Sequence, residues 1–355
     1  MSTWNTPQRI WLTGATSGIG EALAKQLIEQ GHRVVLSARN EEALHALCNG
    51  HDNAYPLPLD VSDHQAVLAA GEQIREWLGA LDVALFNAGT CEYLDARHFD
   101  MALVERVFTP NLFGTLYGVD AALPLLRAAR QEGKPARLAA TSSASAYLPL
   151  PRAEAYGASK AAVSYFLESL RLDLHQEGID VSLIHPGFVK TPLTDRNDFP
   201  MPMQVTADEA AKAIIAGLAK GRLDIHFPRR FTYIVKCLGI LPPRPAAMDW
   251  PAHDAANQGV TMSVTASQRI AVIGSGISGM AAGWYLSSQH EVTLFEADRR
   301  LGGHTATMDV EVNGEPYAID TGFIVFNDWT YPPFSTLVSD PRRAQPSHRD
   351  EFFGA

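Results

Sequence analysis

Cysteine is scarce in this chain: three in 355 residues, Cys48, Cys91 and Cys237, odd in number and far apart. They form no metal or redox spacing, which makes a reducing compartment the expected home and a metal centre unexpected. Positive charge is short as well, with 29 Lys and Arg against 39 Asp and Glu and a net charge of -10. No basic stripe offsets that balance, so nucleic acid is not an expected partner. Long apolar runs are missing: no stretch reaches the ~18 apolar residues of a transmembrane segment. The opening M-S-T-W-N-T-P-Q-R has no apolar run of signal-peptide type, and the expected location is cytoplasmic. What the chain does have is core material, 46% hydrophobic residues with only 19% charged, in a length that allows one large domain or two smaller ones.

Strand and helix patterns alternate from the start. Arg9 to Thr13 is a short apolar run that feeds into T-G-A-T-S-G-I-G (Thr13 to Gly20). The next segment has apolar residues at helical spacing and stops at Gly31, a plausible C-cap, before a second apolar strand H-R-V-V-L-S-A-R. Strand, glycine turn, helix and strand make a βαβ unit, whose helix N-terminus and bare backbone amides suit a pyrophosphate. The alternation goes on through Ala54 to Leu59, a helix from about Asp63 to Leu78, the strand Val83 to Phe86 and a long helix around Asn111. Then come R-L-A-A-T-S-S, a helix bearing Tyr156 and Lys160, and the strand V-S-L-I-H-P-G. Such regularity predicts an α/β fold, a Rossmann-type doubly wound parallel sheet.

Tyr156 and Lys160, in Y-G-A-S-K, stand four apart and share a helix face. A free tyrosine titrates near ~10, and a neighbouring ammonium favours its phenolate, which predicts a lowered Tyr156 pKa suited to general acid–base work. Alone the pair is a weak signal. It gains weight from F-N-A-G (Phe86 to Gly89) and T-S-S-A-S (Thr141 to Ser145) in the same chain.

Taken together, these motifs resemble the short-chain dehydrogenase/reductase family, in family order, over roughly residues 7 to 245. The resemblance implies a nicotinamide dinucleotide cradled by Gly14, Thr16, Ser17, Gly18, Ile19 and Gly20. Asp60 and Val61 would meet its adenine, Asn87, Ala88 and Gly89 its adenosine ribose, and Pro186, Gly187, Val189 and Thr191 its carboxamide. Four residues would carry the chemistry: Asn111, Ser143, Tyr156 and Lys160. Tyr156 would exchange a proton with the substrate oxygen. Lys160 would lower the Tyr156 pKa and bind the nicotinamide ribose. Ser143 would orient the carbonyl, with Ser142 as the fallback one position away, and Asn111 would hold a water linking Lys160 to solvent. Pro110 before Asn111 departs from the pattern and predicts a kinked helix in preference to a broken one.

The second strand ends Ser37-Ala38-Arg39, without the acid that an NAD site places there. Arg39 can hold a 2′-phosphate by a charge-assisted fork, so NADPH/NADP+ is the expected cofactor, by at least ~10-fold. The expected activity is reduction of a carbonyl, or oxidation of the corresponding secondary alcohol. Two rivals remain, a non-catalytic NADPH-binding sensor and a two-cofactor NADPH/FAD enzyme. Phe199, Met201 and Met203, in the segment where the family carries its substrate lid, point either to a hydrophobic small-molecule substrate or to plain packing. Phe227 to Pro243 pairs basic residues with an apolar run. It reads as a packed C-terminal helix or subunit contact, with a membrane-surface anchor as the alternative. The family commonly forms homo-dimers or tetramers, and a homo-oligomer is expected here.

The first domain is thus expected to run over residues 1–245, followed by a linker of shifted composition over 246–267. A second βαβ pattern over 268–330 carries Gly274, Gly276 and Gly279 as G-x-G-x-x-G, with Glu296 where a ribose-binding acid belongs. With D-R-R-L-G-G-H (Asp298 to His304) and Y-A-I-D-T-G-F-I-V-F-N (Tyr317 to Asn327), it resembles the opening of an FAD-dependent amine oxidase-type flavoprotein. The resemblance covers only that opening, so the segment is read as a truncated flavoprotein fused to the first domain, Met262 being a candidate former start. FAD is not an expected cofactor. Residues 331–355 have no periodicity and are expected to be disordered.

Overall fold

The computed structural model describes residue 4 and residues 6–240, 267–303 and 307–320. They fall into two compact units, residues up to 240 and residues from 267 onward. The expected linker (save its last residue), Met262 and the 331–355 tail lie outside the described residues, and the Tyr317–Asn327 run is described only as far as Asp320.

In the first unit the strands are β1 (Arg9–Thr13), β2 (Arg33–Ala38), β3 (Ala54–Pro58), β4 (Val83–Phe86), β5 (Ala136–Thr141) and β6 (Ile179–Pro186), with a further strand, β9 (Asp224–Phe227). The short strands β7 (Val189–Lys190) and β8 (Val205–Thr206) pair with each other in parallel. The helices are α1 (Gly18–Glu29), α2 (Glu41–Cys48), α3 (His64–Leu78), α4 (Met101–Phe108), α5 (Gly114–Gln131), α6 (Glu154–Leu174), α7 (Ala207–Ala219) and α8 (Arg229–Ile240). The main sheet has the order β3-β2-β1-β4-β5-β6-β9, with every pairing parallel. Its central strands are buried on both faces, which explains why β1 and β4 read as continuous apolar runs. One cluster fills each face. Trp11, Ile74, Leu125 and Val163 belong to one, and Leu12, Leu27, Leu36 and Ile214 to the other.

The strand order reverses between β1 and β4, and a crevice opens there at the carboxyl ends of the strands. The opposite end is tied shut. The Arg9 guanidinium donates to both Asp82 oxygens, at 3.2 and 2.8 Å, and the Arg9 backbone N–H adds a third bond at 2.8 Å. Both side chains are buried, so the pair holds the sheet's amino-terminal edge where no site is built.

The helix expected around Asn111 does not break at Pro110. It passes from α4 through one wider turn, Thr109–Phe113, into α5, with the Gly114 N–H reaching back five residues to the Thr109 carbonyl. Proline has no N–H to donate, and the extra residue absorbs that loss without ending the helix.

The second unit contains β10 (Arg269–Ile273), α9 (Ile277–Leu286) and β11 (Glu291–Phe295), with the two strands parallel, as the second glycine fingerprint predicts. An antiparallel hairpin follows, β12 (Thr307–Val312) and β13 (Glu315–Asp320), turning on Asn313 and Gly314, both at positive φ.

Candidate active site

Glycine is required where β1 meets α1. Gly14 has φ +69°, and a Cβ there would lie 2.8 Å from the Ala88 Cα. A Cβ on Gly20 would stand 1.9 Å from the Gly14 carbonyl oxygen. Gly18, at φ +53°, presses on Thr191, whose Cγ2 would be 2.9 Å from an added Cβ. The loops after β1, β4 and β6 therefore converge with no room for side chains, leaving backbone and the exposed Ser17 N-cap beside the crevice. Thr16 and the half-buried Ile19 belong to the same turn. Thr13 Oγ1 fixes the β4 loop by accepting from the N–H groups of Asn87 and Ala88, at 3.1 and 3.2 Å. The Asn87 Oδ1 in turn accepts from Thr141 Oγ1 at 3.2 Å.

Arg39 is exposed, immediately after β2, and lines an open groove of about 680 Å³ with Leu57, Leu59 and Asp60. Asp60 Oδ1 accepts from the Ser62 N–H at 2.9 Å. Val61 sits under Gly114, where an added Cβ would lie 2.9 Å from its Cγ2. Pro186 ends β6, Val189 is buried in β7, and an added Cβ on Gly187 would fall 2.7 Å from the Phe231 ring.

Asn111, Ser143, Tyr156 and Lys160, the residues expected to carry the chemistry, come together beyond the carboxyl ends of β4 and β5. Asn111, in the wide turn, is fully buried. Its Oδ1 accepts from the Thr90 N–H at 2.8 Å, and its amide donates to the Thr90 carbonyl at 2.9 Å and to Ser159 Oγ at 3.0 Å. The Asn111 carbonyl accepts from Thr115 Oγ1 at 2.8 Å. Lys160 donates from Nζ to the Thr141 carbonyl at 2.8 Å and lies 5.9 Å from the centre of the Tyr156 ring. Gly89 is wedged between the two groups. A Cβ there would meet Asn111 Oδ1 at 2.8 Å and Lys160 Nζ at 3.2 Å.

Ser142 and Ser143 face in different directions. Ser142 turns into the core and donates to the Lys160 carbonyl at 2.9 Å, with Ser164 Oγ 2.8 Å away. Ser143 accepts from the Ser145 N–H at 3.1 Å and is near enough to the Tyr156 phenol to oppose the rise of its pKa. Behind Ser164 a chain runs from the core out to the surface. Its Oγ lies 3.1 Å from His185 Nε2, and His185 Nδ1 lies 2.9 Å from Asp224 Oδ1, whose other oxygen accepts from Lys236 at 2.5 Å. Although it contains serine, histidine and aspartate, this chain serves to pin α6 against β6. Ser164 Oγ donates back to the Lys160 carbonyl at 3.1 Å.

The electrostatics correct one expectation. Tyr156 is not lowered: burial pushes its phenol up to about 12, with Cys91 adding to the rise and the Ser143 hydrogen bond opposing it. Burial also brings the Lys160 ammonium down to about 8, against an opposing effect from Cys91. The desolvation of both groups outweighs what the cation can do for the phenolate.

Sequence reasoning passed over Cys91 and Tyr93, which follow Asn87–Gly89 in a loop without periodicity. Burial pushes the Cys91 thiol up to about 11, partly offset by a hydrogen bond with Tyr93. Tyr93 donates to Asn197 Oδ1 at 2.7 Å and packs edge-on against Phe199 at 5.7 Å. Phe199 touches Phe188, and Phe188 touches Phe231, so four rings run from the β4 loop to α8. The one available signal was proximity to the N-A-G motif. Met201 accepts from Asn197 at its sulfur, 3.2 Å away, while Met203 stays exposed.

In the second unit, Gly274 has φ +93°, and a Cβ on Gly279 would stand 2.0 Å from the Gly274 carbonyl. Gly276, the N-cap of α9, bridges to Gly302. Glu296 accepts from the Ser275 N–H, the Ser275 hydroxyl and the Asp298 N–H, which lower its carboxyl to about 2.

Residues 8–200 match the short chain dehydrogenase family, and residues 272–340 match an NAD(P)-binding Rossmann-like domain. An uncharacterized oxidoreductase of Myxococcus xanthus is 33% identical over 235 residues, 65% of this chain and 91% of that protein. An 11-beta-hydroxysteroid dehydrogenase-like 3 of Arabidopsis thaliana is 31% identical over 242 residues, 64% of this chain and 76% of that protein. Among solved structures, a Burkholderia phymatum short chain dehydrogenase/reductase in complex with NAD superposes with a TM-score of 0.60 at 24% identity, covering 68% of this chain and 98% of that one. A 3-ketoacyl-(acyl-carrier-protein) reductase from Brucella melitensis, complexed with NADH, gives 0.59 at 24% identity over 63% of this chain and 99% of its own.

Proposed function

This chain belongs to the short-chain dehydrogenase family and is an oxidoreductase; from that premise we propose that it reduces a carbonyl compound to an alcohol, or runs the reverse oxidation, with NADPH and with Tyr156 as the general acid–base. The observation that carries this reading is the placement of Lys160 Nζ, held by the Thr141 carbonyl at 2.8 Å, 5.9 Å from the ring of a Tyr156 phenol that burial raises to about 12 while lowering the ammonium to about 8. At neutral pH such a phenol is fully protonated, the form required to hand a proton to a developing alkoxide.

The cradle around Gly14, Gly18 and Gly20 fits a dinucleotide, since it is built from backbone that no Cβ could share. When bound there, a nicotinamide dinucleotide supplies the hydride. Tyr156 holds its proton at the phenol oxygen and gives it to the substrate oxygen as the carbon accepts hydride. Ser143 orients that oxygen. Lys160, fixed by the Thr141 carbonyl, restores the Tyr156 proton in the reduction direction. Asn111 and Gly89 keep the space behind Lys160 in shape. Arg39 favours the 2′-phosphate because it is exposed and, among the described residues, pairs with no carboxylate. The rings of Tyr93, Phe199, Phe188 and Phe231 favour an apolar substrate. Assembly as a homo-oligomer is supported by the exposed Tyr165, Phe166 and Leu172 on α6.

The test is NADPH oxidation across a panel of ketones, aldehydes and quinones, with Tyr156→Phe in parallel. Turnover should fall about 10²–10⁴-fold in the variant while NADPH binding survives. Undiminished turnover would remove Tyr156 from the mechanism, and binding without turnover on any compound would favour the sensor reading.

A further inference from the structure

Helix α8 takes no part in the proposed chemistry, and its outward face is built the wrong way round for a surface helix. Thr232 and Val235 are its buried residues. Lys236 ties it to Asp224 at 2.5 Å, Phe231 packs on Gly187, and Gly239 sits so close to the Tyr147 carbonyl oxygen that a Cβ would be 2.0 Å away. Besides Gly239, the exposed positions are Arg229, Arg230, Tyr233, Ile234, Cys237 and Leu238, which fall on one helical stripe, with Ile240 at its end. Ile240 is 83% exposed, Tyr233 and Ile234 are each 52% exposed, and Leu238 is 40% exposed. An ordinary surface helix places charged side chains there.

Charge singles out the same face. From Ile225 to Ile240 the sequence holds no Asp or Glu but has Arg229, Arg230 and Lys236, in a chain of net charge -10. Lys236 is neutralised by Asp224, whereas Arg229 and Arg230 are exposed. They also occupy the first turn of α8, where the helix dipole disfavours cations. The helix gains nothing from them there. Two cations beside four apolar side chains suit an anionic partner with an apolar interior. At 12 residues α8 is about 18 Å long, too short to cross a bilayer but able to lie in its plane. A second copy fits this face less well, because Arg229–Ile240 holds no Asp or Glu to pair with the other copy's arginines.

We propose that α8 is a monotopic docking surface for an anionic phospholipid bilayer. Tyr233, Ile234, Leu238 and Ile240 enter the boundary between headgroups and acyl chains, and Arg229 and Arg230 meet the phosphates. The proposal is independent of the reaction proposed above.

The full chain should sediment with vesicles of phosphatidylcholine containing about a quarter phosphatidylglycerol, less with phosphatidylcholine alone, and less as salt rises. Arg229→Gln with Arg230→Gln should weaken binding about 25-fold, at about fivefold per cation. Ile234→Ser with Ile240→Ser should abolish it. All four positions are exposed, so circular dichroism and thermal unfolding should match the parent protein in both variants. Failure to bind anionic vesicles overturns the proposal, as does binding that ignores lipid charge and the arginine variant. If the isoleucine variant instead converts a larger assembly to a smaller one by light scattering, with no vesicle binding in the parent, the face is a contact between copies and the lipid assignment is wrong.

Discussion

Lys160→Met should change the pH dependence of stability in a defined direction. Lys160 is 4% exposed, and burial is the first cause of its fall from 10.5 to about 8. In the unfolded chain the amine holds its proton up to about 10.5, while in the native state it releases it near 8. Between those values the unfolded state binds more protons, so this group's contribution to stability rises with pH across the window. The whole difference corresponds to about 3 kcal/mol, of which about 2 kcal/mol is recovered between pH 7 and 9.5. Other groups act in the opposite sense. Cys48 and Cys91, raised from 9.0 to about 11, and Tyr156, raised from 10.0 to about 12, contribute stability that is lost as pH climbs through their own windows. The informative quantity is therefore the difference between wild type and variant, in which those groups cancel except where they face Lys160 itself. Urea unfolding of the full chain at steps from pH 7 to 9.5 measures it. Wild type should gain about 2 kcal/mol on the variant over that range, with equal slopes in urea. Two parallel curves would mean that Lys160 is not desolvated, and the protonation argument for Tyr156 would lose its partner.

Three further outcomes are expected. Gly89→Ala should destabilise by about 1–3 kcal/mol and lower turnover more than NADPH binding, because Asn111 and Lys160 are both pinned and neither can yield to the methyl group; unchanged kinetics would show that the space is not needed. Arg39→Ala should lose at least about tenfold in NADPH affinity, roughly 1.4 kcal/mol, with NADH affinity unchanged, as read by fluorescence titration. The purified chain should carry no flavin, because the second unit's described residues form one βαβ turn and a hairpin, a surface for an ADP moiety without an enclosure for a ring; a stoichiometric flavin absorbance band would refute this.

The parts of the site that depend on backbone clearance were legible in the sequence because only glycine satisfies them. Gly14, Gly18, Gly20 and Gly89 mark points where loops close to within a methyl group of each other, and no alternative residue could disguise that requirement. Tyr156 and Lys160 stood out because helical spacing places them on one face and the F-N-A-G and T-S-S-A-S motifs stand in the same chain. Pro110 announced an irregular turn but not its form, since a missing N–H can be absorbed by a kink, a break or an added residue, and the choice falls to the packing of Asn111 against Thr90 and Ser159. Adjacent serines could not be told apart until the strand end fixed which one faced inward.

The direction of the Tyr156 pKa was the least legible feature, and the reason bears on the chemistry. Sequence supplies the neighbour but not the solvent. A cation four residues away argues for a lowered phenol, whereas burying phenol and ammonium together disfavours the charged form of each. The result is a pair driven toward neutrality from both sides, a protonated Tyr156 and a Lys160 brought close to neutral pH. In the proposed reduction, the proton for the substrate oxygen would reside on Tyr156 before the reaction begins. The nearby ammonium, lowered to about 8, is a stronger acid than a solvated lysine and can replace that proton once it is spent. On the mechanism proposed above, desolvation sets the two groups up for proton delivery, and the cationic neighbour is the source that refills the donor.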